Sequence, residues 1–300
     1  MKILITGNLG FIASHLHKRM SELGHEVVGI DNASHPCGQV VPYQYADVRY
    51  YQSVYKFIEW SDFVFHLAAQ INVDKSIDQS QETIETNIVG TANILDAVTK
   101  FNKKMIYASS SEIYGSSLSE IMDEDHALNP QSPYGASKAG ADRLCKAYFT
   151  TYNTKVIIQR NFNVFGEYQN SDLYGAVIPK FISHALKNEP LEIYGDGTQE
   201  RDFMHIQDAI QAYQFSFNHE PWGEEINFGT GHTVSINQLA EMIIKITNSK
   251  STIIHTNARP GEIKRLCAGI EKAKKLGFSP QTDFERDLTS YINWYKKFIF

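Results

Sequence analysis

Apolar residues along this chain gather in short β-rich runs, and between the runs they recur every three or four positions. The runs Lys2–Thr6, Glu26–Asp31, Phe63–Leu67, Lys104–Ser109 and Lys155–Arg160 are dominated by branched and aromatic residues and read as buried strands. Phe11–Leu23, Thr83–Lys100 and Tyr134–Tyr152 carry helical spacing. Strands separated by helices need crossover connections, so the pattern predicts an α/β fold with a doubly wound parallel sheet. After about Phe162 the alternation loosens into loops around Gly166–Gly175, a helix at Val177–Lys187 and a turn at Tyr194–Gly197. The organisation read from this is a main domain over residues 1–163 and a smaller, discontinuous C-terminal domain over 164–300. Strands near 202–206 and 226–228 are expected to return to the main sheet.

Composition narrows the setting. At 300 residues there is material for one large domain or two unequal ones. No apolar stretch is long enough to span a bilayer, and the N-terminal run is too short for a secretory signal, so a cytoplasmic protein with no membrane partner is expected. Cys37, Cys145 and Cys267 are odd in number and widely spaced, which suggests neither a disulfide framework nor a metal site. A net charge of −6 without a dense Lys/Arg run argues against nucleic acid.

Candidate chemistry begins where the first strand ends. Gly7-Asn8-Leu9-Gly10-Phe11-Ile12-Ala13 runs from strand to helix; its glycines permit a sharp turn and close approach to a pyrophosphate, which the helix N-terminus then attracts. Asp31 ends the second strand, where a carboxylate can bind both ribose hydroxyls and repel a 2′-phosphate, so NAD is favoured over NADP. Asn32, Asp47, Val48 and Leu67-Ala68-Ala69-Gln70 follow at the ends of later strands, the edge where open α/β sheets bind ligands. His66 reads as a packed, hydrogen-bonded residue. Tyr134 and Lys138 lie four apart, on one helical face. An adjacent ammonium and an oxidised nicotinamide would both favour the tyrosine anion, making Tyr134 a base that removes a hydroxyl proton as hydride leaves. Ser110, from the triplet Ser109-Ser110-Ser111, would orient the substrate oxygen.

Together these motifs resemble the extended short-chain dehydrogenase/reductase family, in particular its NAD-dependent nucleotide-sugar epimerases and dehydratases. The likeness continues through Ser109-Ser110-Ser111-Glu112-Ile113-Tyr114-Gly115, Ser132–Lys138, Arg160–Gly166, Ile193–Phe203 and Arg259-Pro260-Gly261-Glu262. It implies a Rossmann domain with a C-terminal substrate domain, and places Asn87 and Ser109 with the cofactor residues. It also implies a nucleotide-sugar substrate, with Asn163, Arg201 and Arg259 at the diphosphate, Val177 and Lys180 near the base, and Tyr194 among the binding residues. The segments Thr83–Lys100 and Tyr134–Tyr152 resemble the helices of the family's homodimer interface. Three departures stand out: a short Asn32–Ala46 stretch in which the usual helix is expected to be lost, Glu167-Tyr168-Gln169 in place of Pro-Arg-Gln, and Asn8-Leu9 in place of Gly-Ala.

The resemblance implies oxidation at C4 of the sugar to a 4-keto intermediate with transient NADH, after which fates diverge. A 4-epimerase returns hydride to the other face and needs no further acid or base. A 4,6-dehydratase removes the C5 proton and expels water from C6, and Ser111 and Glu112 fall where dehydratases place those groups. The reading adopted is a UDP-sugar 4-epimerase, because the motifs from Arg160 to Asp202 favour it. The alternative is a dehydratase with Glu112 as C5 base; a decarboxylase ranks below both, and a non-catalytic scaffold is disfavoured because Ser110, Tyr134 and Lys138 are all present.

Overall fold

The computed structural model describes residues 1–117, 119–169, 176–258 and 261–300. Its centre is a seven-stranded sheet formed by β1 (Lys2–Thr6), β2 (Glu26–Asp31), β3 (Gln44–Tyr45), β4 (Phe63–His66), β5 (Lys104–Ser110), β6 (Lys155–Asn161) and β7 (Glu225–Phe228). The spatial order is β7-β6-β5-β4-β1-β2-β3, and every pairing is parallel. The order reverses between β1 and β4, which opens a crevice at their carboxyl ends. Sheets of this kind are buried on both faces, and Ile3, Leu4, Ile5, Phe63, Val64 and Phe65 are fully inaccessible.

On one face α1 (Phe11–Glu22) packs beside Ile206–His219 through Leu16, Met20, Ile210 and Tyr213. On the other face, α2 (Tyr51–Trp60), α3 (Gly90–Lys100) and α4 (Pro133–Tyr152) bury Val54, Ile58, Ile94, Leu95, Ala141 and Cys145. Local sequence fixes the ends of α4: Ser132 Oγ accepts from Gly135 N at 3.0 Å, Pro133 occupies the first turn, and Asn153 closes the helix at φ 56. A third core unites Val177–Lys187, Ile236–Thr247 and Phe284–Phe298 around Ile182, Leu239, Ile243 and Tyr291. No helix among the described residues is long and apolar enough to cross a membrane.

Two expectations change and a third holds. Strand Phe203–His205 does not return to the main sheet but pairs in parallel with Asn163–Phe165. The edge beyond β6 is already filled by β7, and the chain changes sheets across one peptide: Phe162 N donates to Phe228 O at 2.9 Å, Asn163 N to Asp202 O at 3.1 Å. Thr83–Lys100 is not one regular helix; Ser80–Ile84 and α3 are joined by a π-helical turn, Glu85–Val89. Between Asp31 and Gln44 there is no helix, as the shortness of that stretch implied.

Candidate active site

At the crevice, the end of β1 comes into contact with the segment after β4. Gly7 has φ +70, and a Cβ there would lie 2.7 Å from both Ala68 Cα and Ala68 N, so only glycine lets the two backbones approach this closely. Gly10 caps α1 without a side-chain hydrogen bond, leaving the first-turn N–H groups of Phe11 and Ile12 for an anion. Asp31 Oδ2 accepts from Leu9 N at 3.0 Å and Oδ1 from Ala33 N at 2.7 Å, which fixes the carboxylate beside the turn. This cradle, closed by glycine where a side chain would block it and carrying an acid at the ribose position, fits NAD.

The remaining cofactor candidates build the walls. Asp47 binds Arg49 Nη2 at 2.6 Å and Asn32 Nδ2 at 3.2 Å; burial pushes its pKa up, but these bonds outweigh burial and hold it below the usual value. Val48 packs on Gly90, where a Cβ would come within 2.7 Å of Val48 Cγ2. Asn87, in the π-helical turn, exchanges hydrogen bonds with Gln70 N and O at 2.8 and 2.9 Å and donates to Ser137 Oγ at 2.8 Å. It ties the Leu67–Gln70 segment to α4, a role for which its backbone irregularity is suited. Ser109 differs from expectation, for its hydroxyl turns into the protein and donates to Asp142 Oδ2 at 2.6 Å.

His66 is a structural residue. Its Nδ1 lies 2.7 Å from Thr6 Oγ1 and its Nε2 3.0 Å from Thr91 Oγ1, while Thr91 donates to Asn87 O and Thr6 Oγ1 accepts from Ala68 N. Those outer bonds leave Nε2–H as the donor and Nδ1 as the acceptor. Burial, and secondarily Lys138, lower its pKa to about 3, so the ring stays neutral.

Tyr134, Lys138 and Asp142 follow one another every fourth residue on the inner face of α4. The Tyr134 hydroxyl hydrogen-bonds to Ser110 at the end of β5; burial nonetheless raises its pKa to about 12, and Glu112 adds to the rise. Of the two groups expected to favour the tyrosine anion, Lys138 contributes no lowering of this pKa in the cofactor-free protein, which leaves that part to the nicotinamide. Lys138 Nζ instead donates to Ala108 O at 2.5 Å and sits 4.4 Å above the Tyr107 ring. Burial lowers its own pKa to about 8. Behind it, Asp142 pairs with the fully buried Arg160 through two bonds of 3.0 Å, and Arg160 Nη1 also reaches Tyr114 OH at 2.9 Å. This ion pair clamps the ends of β5 and β6 against α4. The glycine of Tyr134-Gly135 matters too, since a Cβ there would lie 2.8 Å from Glu112 O.

On the substrate side, Glu112 is half-buried and faces Arg201 and Glu262: burial raises its pKa, Arg201 lowers it, Glu262 raises it. Arg201 Nη2 donates to Glu262 Oε1 at 3.1 Å. Ser111 is buried beside Glu112 in a 3-10 turn. The Asn163 side-chain oxygen is buried with no hydrogen-bond partner among the described residues, an orphan that a ligand donor would satisfy. Val177 and Lys180 occupy the first turn of Val177–Lys187, and Tyr194 ends the strand Leu191–Tyr194; no bond links these three to the Glu112 cluster among the described residues. Arg259 lies outside the described residues. Sequence reasoning missed Asp142, although its spacing from Lys138 signals a shared face, and missed Glu262 as the partner of Arg201.

Residues 3–229 match the model of the NAD dependent epimerase/dehydratase family. A putative UDP-glucose 4-epimerase of Methanocaldococcus jannaschii is 35% identical, with 98% of each chain covered. A UDP-N-acetyl-alpha-D-glucosaminuronate decarboxylase of Bacillus cytotoxicus is 33% identical over 99% of this chain and 98% of its own. Among solved structures, the dTDP-glucose 4,6-dehydratase DesIV of Streptomyces venezuelae, determined with NAD bound, superposes with a TM-score of 0.91 at 27% identity, covering 99% of this chain and 98% of that one.

Proposed function

The chain belongs to the NAD-dependent epimerase/dehydratase family of nucleotide-sugar enzymes, and within it we propose that it is a 4-epimerase acting on a UDP-sugar. The observation that carries this reading is the composition of the catalytic cluster. Ser110 and Tyr134 are hydrogen-bonded hydroxyls, Lys138 lies one turn on, and position 111 holds a buried serine instead of a carboxylic acid. Ser110 orients the sugar C4 hydroxyl and Tyr134 takes its proton. Bound NAD would be the hydride acceptor at C4 and, once reduced, the hydride donor to the opposite face, and its nicotinamide would supply the positive charge that a tyrosine raised to about 12 still requires. Lys138 holds the ribose side of the site and a proton at Nζ. Once the keto-sugar has turned, Tyr134 returns the proton, and no further acid is needed. The uridine preference follows the names of the two relatives above. Tyr134→Phe removes the base while leaving the cleft intact, so NAD retention should persist and turnover fall by about 10²–10⁴-fold; normal turnover would overturn the assignment.

One observation favours a second reading, the 4,6-dehydratase. Glu112 lies close enough to Tyr134 to raise its pKa and faces Arg201, a position from which a carboxylate could take the C5 proton. Having taken that proton, Glu112 would itself be the acid able to pass it to the leaving C6 hydroxyl, so this reading needs no acid from Ser111.

We also propose a homodimer through the Thr83–Lys100 and Tyr134–Tyr152 segments, where Ile84, Val89 and Tyr152 are exposed and offer apolar surface. Light scattering that found only a 34.0 kDa particle at micromolar concentration would sink it.

A further inference from the structure

Two segments that serve different ligands meet on one side chain of α1. After Asp31 the chain runs as a strap across the glycine turn. Cys37 N and Gly38 N donate to Leu9 O at 3.0 and 2.8 Å, Gln39 N donates to Ser14 Oγ at 2.9 Å, and Asn8 Nδ2 donates to Pro42 O at 3.0 Å. The fit is close: a Cβ on Gly38 would lie 2.2 Å from Ser14 Oγ and 2.5 Å from Gly10 O. At the strap's tip His35 Nε2 lies 3.2 Å from Lys75 Nζ, on the Val73–Asp78 helix that follows β4. The strap thus spans the crevice from the β2 side to the β4 side.

The other segment is the turn after Asn163–Phe165. Glu167 Oε2 lies 3.6 Å from His205 Nε2. Tyr168, at φ 66, sets its ring edge-on to His15 at 5.8 Å and against Trp294 at 4.8 Å.

His15 is buried between the two. Its Nε2 lies 3.0 Å from Glu167 O and its Nδ1 2.9 Å from Gln39 Nε2. A carbonyl can only accept and an amide nitrogen can only donate, so the ring is neutral with its proton on Nε2; burial, which lowers its pKa, favours that form. A ring oriented by the Glu167 carbonyl therefore presents its lone pair to the strap.

We propose that His15 is a positioning residue that couples these segments, so that a nucleoside diphosphate held beside Asn163 fastens the strap and slows the exchange of NAD. The proposal rests on the nucleotide-sugar reading above. Coupling of this kind is reciprocal, and one hydrogen bond's worth corresponds to about five- to tenfold.

The test uses the holoenzyme loaded with isotopically labelled NAD and chased with unlabelled NAD, alone or with UDP, dTDP or GDP, each checked for binding by calorimetry. The diphosphate that binds should slow label release by about five- to tenfold. His15→Phe keeps the ring packing but neither bond, and should lose the slowing. His15→Gln can donate and accept as the imidazole does, and should restore it. Gln39→Met cuts only the strap side, on a half-buried segment that does not endanger folding, and should lose it as well. A bound diphosphate that leaves wild-type release unchanged, or full slowing retained in both His15→Phe and Gln39→Met, overturns the coupling alone. If none of the three diphosphates binds, the substrate reading and the coupling fall together.

Discussion

Lys138→Met exchanges a buried ammonium for an apolar chain of similar length. Lys138 is 4% exposed, and burial lowers its pKa from 10.5 to about 8 against raising contributions from Cys145 and Asp142. At about 1.4 kcal/mol per pH unit, keeping the charge at neutral pH costs the fold about 3 kcal/mol. Losing the bond to Ala108 O and the contact with the Tyr107 ring forfeits about 1–2 kcal/mol of that. The variant should therefore be more stable than wild type by about 1–2 kcal/mol at neutral pH, or about 2–3 °C in Tm for a chain of this size, while losing turnover. The pH dependence has a definite sign. The folded-state pKa lies below the unfolded one, so between about pH 8 and the unfolded value the unfolded chain binds more protons, and wild-type stability rises with pH. The advantage of Lys138→Met is then full below about pH 8 and disappears above it. Calorimetric melting of the cofactor-free proteins below and across this window reads both effects. A variant less stable than wild type at neutral pH, with a pH-independent difference, would refute the reasoning.

Gly7→Ala places a Cβ 2.7 Å from two backbone atoms of Ala68 at φ +70, where no side chain can yield. It should cost about 2–4 kcal/mol and weaken NAD binding at least about tenfold; melting and NAD titration that match wild type would contradict the close-approach role. Glu112→Gln preserves shape and removes only the titratable group. An epimerase should keep most of its turnover, whereas a loss of about 10²-fold or more would move Glu112 into the chemistry.

Much of the frame was legible because it rests on local signals. The apolar runs place β1 and β2, and the Ser132-Pro133 start and Asn153 end define α4, since capping and periodicity act over a few residues. The catalytic face was legible for the same reason, as Tyr134 and Lys138 are one turn apart. What escaped depends on contacts between distant segments. Arg160 and Asp142 are separated by eighteen residues, and their pairing is visible only once β6 and α4 are docked. Asn8 stands in the turn where glycine is usual, and its side chain fills the space over Gly29, where a Cβ would lie 2.0 Å away, and reaches Pro42, contacts that the sequence does not reveal. Phe203–His205 has the composition of a strand, but which sheet it joins depends on the edge beside β6 being occupied by β7. Sequence puts Lys138 and Tyr134 on one helical face, but does not show that the Ala108 carbonyl takes the Lys138 ammonium, a backbone acceptor that no side-chain pattern reveals.

The decisive measurement is proton NMR with mass spectrometry on the purified holoenzyme offered UDP-glucose, UDP-N-acetylglucosamine, UDP-glucuronate, dTDP-glucose and GDP-mannose. A UDP-sugar product of unchanged mass with inverted configuration at C4 is the expected result. A product lighter by one water with a new C6 methyl signal would contradict the epimerase and make Glu112 the C5 base.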